Sequence, residues 1–226
     1  MDTRFWGPSG WQLLHYISFH SKNPEQFLFG IKDILPCRFC RESTAQFQHE
    51  LKFKGNIARW FYEIHNRVNH KLRTQCKDDP SVVDPGPNPT FEEVSKKYKH
   101  FKLDHALGRD FLFSIAVNYP AAPEPDQMAT QRVFLKQLVE VYPSHKLKQY
   151  YEKHPPRLES QRSYMHWVYG VLKELSDEVG VPMPSYKKYS KHVLGYKSGC
   201  SKKKYRGKTC RKARGTNKTI RIVTIS

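Results

Sequence analysis

The feature that most restricts how this chain can fold is a long-range echo within it. Displaced by 107 residues, positions 25–40 (EQFLFGIKDILPCRFC) lie over 132–147 (RVFLKQLVEVYPSHKL) without a gap. Phe27 then falls on Phe134, Pro36 on Pro143 and Trp60 on Trp167. PTFEEVSKKY (89–98) and PSYKKYSKHV (184–193) each open a short terminal helix, and DFLFSIAVNYP (110–120) mirrors WQLLHYISFHS (11–21) at a shift near 100. Coincident Pro, Trp and terminal-helix landmarks go beyond a shared apolar period. The sequence reads as an internal duplication of one unit.

That unit is helical. Trp11, Leu14, Ile17 and Ser18 recur at helical spacing after the turn-forming Gly7-Pro8-Ser9-Gly10. Phe27, Leu28, Ile31, Ile34 and Leu35 predict a second helix with Asn23-Pro24 as its start signal. A third runs through RFCRESTAQFQHEL after Pro36, and Ile57, Trp60, Phe61, Ile64, Val68 and Leu72 mark a longer fourth. DDPSVVDPGPNP (78–89) is a loop on its Pro and Asp content, and a short fifth helix covers roughly 91–99. Long alternating strand patterns are absent, so the expected class is all-α.

Charge separates the tail from this body. No Asp or Glu follows Glu178, whereas 14 Lys and Arg fall between Lys187 and Arg221; setting those aside leaves 25 basic against 21 acidic residues. The stretch after residue 196 is like-charged and poor in apolar residues, which predicts disorder. It reads either as a solubilising tail or as a polyanion contact with nucleic acid, an anionic membrane or an acidic partner. No run of about 18 apolar residues is present to span a membrane, and the N-terminus lacks an apolar signal core, so export is not expected. Five cysteines are too few and too unevenly spaced for a disulfide-stapled secreted domain.

Two of those cysteines form a C-x-x-C, Cys37 and Cys40, at a helix start. Residues three apart on one turn present both sulfurs the same way, and free N–H groups at a helix N-terminus favour a thiolate. Spacing alone leaves three readings: a redox disulfide, half of a zinc site, or an incidental pair. A zinc site needs two further ligands at suitable spacing, and Cys200 and Cys210 are far apart in a flexible context. On the fourth helix, His65 and Asn69 share a face with Asn66 beside them; on the first, Trp11 and His15 do the same. Taken singly, each is as well read as a buried ring or a satisfied histidine.

Taken in order, W-x-x-L-H (Trp11 to His15), C-x-x-C (Cys37 to Cys40) and H-N-x-V-N-x-K-L (His65 to Leu72) resemble the Erv/ALR flavin-linked sulfhydryl oxidases over about residues 4–99. The resemblance implies a four-helix bundle with a short fifth helix that holds FAD beside the C-x-x-C disulfide. It implies Cys37 as the sulfur that meets substrate and Cys40 as the flavin-facing one. It also implies cofactor contacts from Trp11, His15, His65, Asn66, Val68, Asn69 and Lys71, with Gly7 and Gly10 admitting the cofactor and Tyr98 near its adenine side. No metal is implied. Electrons would pass from protein dithiols, or from a thioredoxin-like carrier, to oxygen, giving hydrogen peroxide.

The second half has a parallel in quiescin sulfhydryl oxidases, which pack a degenerate Erv-like module against the active one. Ser144 stands where Cys37 does, Leu147 for Cys40, Leu172 for His65, Lys173 for Asn66 and Ser176 for Asn69. The expected organisation is a catalytic domain at 1–102, a degenerate Erv-like domain at 103–195 and a basic tail at 196–226, assembled as an intramolecular pseudo-dimer or a homodimer. Cys76 has no cysteine between 41 and 75 to pair with, and Cys200 and Cys210 are candidates for a shuttle pair. The lack of a dedicated shuttle C-x-x-C resembles members encoded by large cytoplasmic DNA viruses. That implies host cytoplasm and virion as the setting, or otherwise the cytosol or the mitochondrial intermembrane space. The competing reading is a non-catalytic virion or nucleic-acid interaction protein working through its basic tail.

Overall fold

A computed structural model describes residues 1–79 and 82–199, and within these there are ten helices and no strand. The all-α expectation holds. The first half contains α1 (Thr3–His20), α2 (Glu25–Ile34), α3 (Arg38–Glu50), α4 (Ile57–Asp78) and α5 (Phe91–Lys99). The second contains α6 (Arg109–Asn118), α7 (Pro125–Val141), α8 (His145–Lys153), α9 (Gln161–Glu178) and α10 (Tyr186–Leu194). Most of the tail, including Cys200 and Cys210, lies outside the described residues.

Helix α1 departs from expectation. It opens at Thr3 and runs straight through Gly7, Pro8 and Gly10, which the sequence marks as a turn. Pro8 removes one backbone donor, but other contacts hold the extra turns. The Asp2 carboxylate caps the Arg4 N–H at 3.0 Å and pairs with the Arg4 guanidinium at 2.7 Å, and Trp6 is buried against Phe111. Tertiary packing overrides the local signal.

The same packing plan appears in each half. In the first, α1 packs on α4 and α5, α2 on α3, and α3 on α4; in the second, α6 packs on α9 and α10, α7 on α8, and α8 on α9. Side-chain contacts recur with it. The Trp60 indole donates to the Leu51 carbonyl at the end of α3, and the Trp167 indole to the His154 carbonyl at the end of α8. Tyr62 donates to Pro89 O and Tyr169 to Pro184 O, both at 2.9 Å.

The halves meet through α1 against α6 and α2 against α7. Phe27 and Phe134 stack on each other with centroids 5.6 Å apart. Such a pair is worth about 0.5–1.5 kcal/mol beyond the area it buries. Every residue of α6 from Phe111 to Val117 is buried, as suits a helix covered by neighbours on all sides. The approach is closest at two glycines. A Cβ on Gly10 would meet the Phe111 ring at 3.1 Å, and one on Gly108, whose φ is +75°, would meet Leu13 at 2.5 Å. Gly108→Ala therefore combines a left-handed backbone with overpacking. It should cost about 2–4 kcal/mol, read as a lower denaturant midpoint; an unchanged midpoint would show that the α1–α6 seam has room to spare.

Candidate functional site

Helices α1 and α4 bring the ring-bearing residues together. Trp11 stacks on His65 with centroids 3.7 Å apart and planes 9° from parallel. One turn further along α1, His15 Nε2 lies 2.8 Å from His65 Nδ1, so one imidazole donates to the other. His15 is also held edge-on to Phe61 and face-on to Tyr98 of α5, at 5.2 and 5.1 Å. Tyr98 is in turn stacked by Phe19 and Phe101, and His20 reaches its carbonyl at 2.7 Å.

Burial makes this cluster electrostatically unusual. Desolvation, with His65 and Lys97 adding to it, holds His15 well below the usual imidazole value. Desolvation alone pulls His65 down to about 3, and it pushes the Tyr98 phenol up. His15 Nδ1 and the Tyr98 hydroxyl are buried with no hydrogen-bond partner among the described residues. Buried polar atoms are seldom left that way. Two such atoms in one wall of flat rings are what a heteroaromatic ligand with hydrogen-bonding edges would satisfy.

The second half of α4 extends the wall. Its buried residues all fall between Ala58 and Ile64, so His65, Asn66, Val68, Asn69 and Lys71 lie on half-covered surface. Asn69 donates to Asn88 at 3.1 Å, and Arg73 bonds both Asn88 and Gly86 O, which pins the 82–90 loop to α4. Neither Asn88 nor Arg73 carries a sequence signal beyond an Asn-Pro turn. Gly7 lies four residues before Trp11 on the same face of α1, and a Cβ there would touch nothing within 4 Å. Gly10 does not join this group, because its open side is filled by Phe111. Flat rings, orphaned polar atoms, amides and nearby cations thus fit FAD, a flat heterocycle carrying an anionic diphosphate.

Pro36 fixes the chain's entry into α3, and Cys37 becomes its N-cap, with extended backbone. Cys37 Sγ accepts the Cys40 N–H at 3.3 Å. The Cys40 thiol also hydrogen-bonds to Cys37; that bond, burial and the neighbouring sulfur's charge raise Cys40 well above the usual thiol value. Lys71 opposes this rise. Its ammonium reaches Ser43 on α3, so it links the α4 wall to the cysteines. Cys76, on the last turns of α4, forms no disulfide among the described residues, and its thiol is directed at Arg73 O. Among the described residues no cluster of three or more His, Cys, Asp or Glu is arranged to hold a metal.

One arrangement has no counterpart in the sequence signals. Cys37 is only 1% exposed, whereas Cys40 keeps part of its surface. The Met1 amine lies close enough to both sulfurs to sense their charge, and it donates to Pro36 O and to Ser198 Oγ at 3.3 and 3.0 Å. Asp2 N–H donates to Tyr196 O at 2.9 Å, and Tyr196 stacks on Phe5 at 4.2 Å. Segment 196–198 thus straps down the residues that cover Cys37.

Residues 8–85 match the model of the Erv1 / Alr family, a span holding Trp11, His15, both cysteines and the His65–Lys71 face. Over 85 residues the chain is 31% identical to the mitochondrial FAD-linked sulfhydryl oxidase ERV1 of Saccharomyces cerevisiae. That stretch covers 32% of this chain and 45% of the relative, so the chain spans under half the length of the curated protein it matches. No solved structure matches the chain significantly. No helix among the described residues is long and apolar enough to cross a membrane.

Two outcomes check the site. Both imidazoles bind protons less readily folded than unfolded, so unfolding takes up protons below about pH 6.5. Their contribution to stability is complete above that value and declines as pH falls toward 3. The thermal midpoint should drop between pH 7 and 5, and part of that slope should vanish in His65→Asn; a pH-independent midpoint would contradict a neutral pair. Separately, truncation after residue 195 should speed alkylation of Cys37 at least severalfold, measured by mass spectrometry. Equal rates would mean that the strap does not guard the sulfur.

Proposed function

We propose that residues 1–102 form the catalytic unit of an FAD-dependent sulfhydryl oxidase that makes disulfides in protein dithiols, with oxygen as final acceptor and hydrogen peroxide as product. One observation carries the reading: α4, which presents His65 to Trp11 and His15, also sends Lys71 to Ser43 on α3, the helix capped by Cys37, and the Lys71 charge acts on Cys40. The match over residues 8–85 and the FAD-linked relative support it. Trp11, His15, His65, Asn66, Val68, Asn69, Lys71 and Tyr98 would hold the cofactor, with Gly7 leaving room beside Trp11. When bound, FAD supplies a two-electron acceptor that oxygen can reoxidise, chemistry that no side chain offers.

The cysteines perform the exchange. A substrate thiolate attacks Cys37 Sγ of the oxidised pair, a mixed disulfide forms, and the Cys37–Cys40 bond breaks with Cys40 leaving as a thiolate. A second substrate thiolate then attacks the substrate sulfur of that mixed disulfide, so substrate leaves oxidised and both cysteines are reduced. Two electrons and two protons have moved to the pair. Lys71 favours the Cys40 anion at the moment it leaves, against the burial that otherwise keeps this sulfur protonated. Substrate reaches Cys37 only when the cover formed by residues 1–2 and 196–198 moves aside.

We further propose that residues 103–195 are a degenerate copy. Supporting this are the shared packing plan, the matched indole and phenol hydrogen bonds, and apolar replacements at the reactive positions: Leu147 and Leu172 are both buried. A copy packed on α1 and α2 favours an intramolecular pseudo-dimer over a homodimer, since those two helices are already covered. For setting, we propose host cytoplasm and virion, from the resemblance to members encoded by large DNA viruses, with the cytosol or the mitochondrial intermembrane space as the alternative that the mitochondrial relative favours.

Purified protein should be yellow, release flavin on denaturation and consume oxygen with a dithiol. Cys40→Ser should keep the flavin yet fall to background turnover. A colourless protein with no flavin would sink the reading, and an active Cys40→Ser would refute the role given to that sulfur.

A further inference from the structure

Helix α10 repeats α5 with its charge reversed. Aligned on their caps, Thr90 and Ser185, the two helices put Lys187 where α5 has Glu92, Lys188 where it has Glu93, and Lys191 where it has Lys96. In α5 the two acids occupy the first turn, where the unpaired N–H groups and the helix dipole favour negative charge. Glu93 there completes a capping box, taking the Thr90 N–H at 2.6 Å while Thr90 takes the Glu93 N–H at 3.2 Å. In α10 Ser185 still caps Lys188 N–H, but a lysine cannot return that bond. Two cations sit instead at the positive end of the helix. Helix stability does not ask for them.

Among the described residues no carboxylate pairs with them. At 100° per residue, Lys187, Lys188 and Lys191 sweep one continuous arc of α10, away from the buried Tyr189 and Val193. All three are exposed, and none forms an ion pair among the described residues. The preceding acids are engaged elsewhere, Asp177 with Lys173 and Glu178 with Ser144. At the start of α10, Tyr186 stacks on the exposed ring of His166 at 3.9 Å, and the Arg162 charge is felt at its phenol. No acid follows in the chain, and ten more Lys and Arg lie between 202 and 221, outside the described residues.

We propose that this face of α10 docks single-stranded nucleic acid, with Lys187, Lys188 and Lys191 on phosphates and the exposed His166 ring of α9, stacked on Tyr186 at the flank of that face, offered to bases. Clustered cations beside flat rings are the chemistry that binds single strands without reading sequence. An anionic membrane is the poorer partner, because the arc carries Leu194 as its one large exposed apolar residue and lacks the apolar face that interfacial helices insert.

The test uses the full chain and a fluorescently labelled 20-nucleotide single strand, with binding followed by anisotropy from 0.05 to 0.3 M salt. Losing two phosphate contacts in Lys187→Gln/Lys188→Gln should make the slope of log K against log salt shallower by about 1.4 and weaken binding about twentyfold at 0.1 M. Lys187→Glu/Lys188→Glu, which installs the α5 residues, should bind more weakly still while melting no lower than the parent, so that lost binding is not lost folding. Unchanged affinity and slope in the Gln variant would overturn the assignment. So would capture by phosphatidylcholine–phosphatidylserine vesicles under conditions where the oligonucleotide does not bind. Flavin content and thiol oxidation, read on the same samples, should not change, which separates this result from the oxidase reading.

Discussion

Everything described here depends on α1 being packed on both sides. Its Leu13 and Gly10 press on α6, so closely that Gly108 and Gly10 have no room for a side chain. A third of a turn away, Trp11 and His15 face α4 and α5. The seam between the halves therefore sets the position of the helix from which the ring cluster hangs. Close-packed interiors transmit displacement rather than absorb it, so a shift at the Gly108–Leu13 contact moves His15, two residues along the same helix, against its His65 partner on α4.

The helical class and nearly every helix were legible because apolar residues recur at the helical period over long windows, with Pro or Asn at the starts. The start of α1 was not. Gly7-Pro8-Ser9-Gly10 has the local chemistry of a turn, and only the burial of Trp6 and the Asp2–Arg4 cap, invisible in a local window, carry the helix through it. The cysteine pair, the α4 face and the W-x-x-L-H turn were legible because each is short and contiguous in sequence. The contact of Gly10 with Phe111 was not legible either, since the resemblance that named Gly10 says nothing of which neighbour its helix face will meet. Asn88, Arg73 and the Ser43–Lys71 bond escaped because they depend on how a loop and two helices dock.

The cover over Cys37 is the clearest case of information that lies in no motif. It joins residues 1–5, 36–37 and 196–198, which are distant along the chain, through two backbone hydrogen bonds, one hydroxyl and one ring stack. Each is modest in water, where a net hydrogen bond contributes about 0.5–1.5 kcal/mol.

The joint between α5 and α6 gives the halves a property that separate subunits lack. Two subunits joined through a face like α1–α6 and α2–α7 would come apart on dilution, whereas tethered partners meet at a fixed local concentration however scarce the protein is. On the copy relationship proposed for residues 103–195, tethering also releases the pair from symmetry. In a homodimer any substitution appears twice, once on each side of the axis. Here Glu92 and Glu93 stay as they are while their counterparts are lysines, so one half can take on a new charge with no change in the half that carries the cysteines.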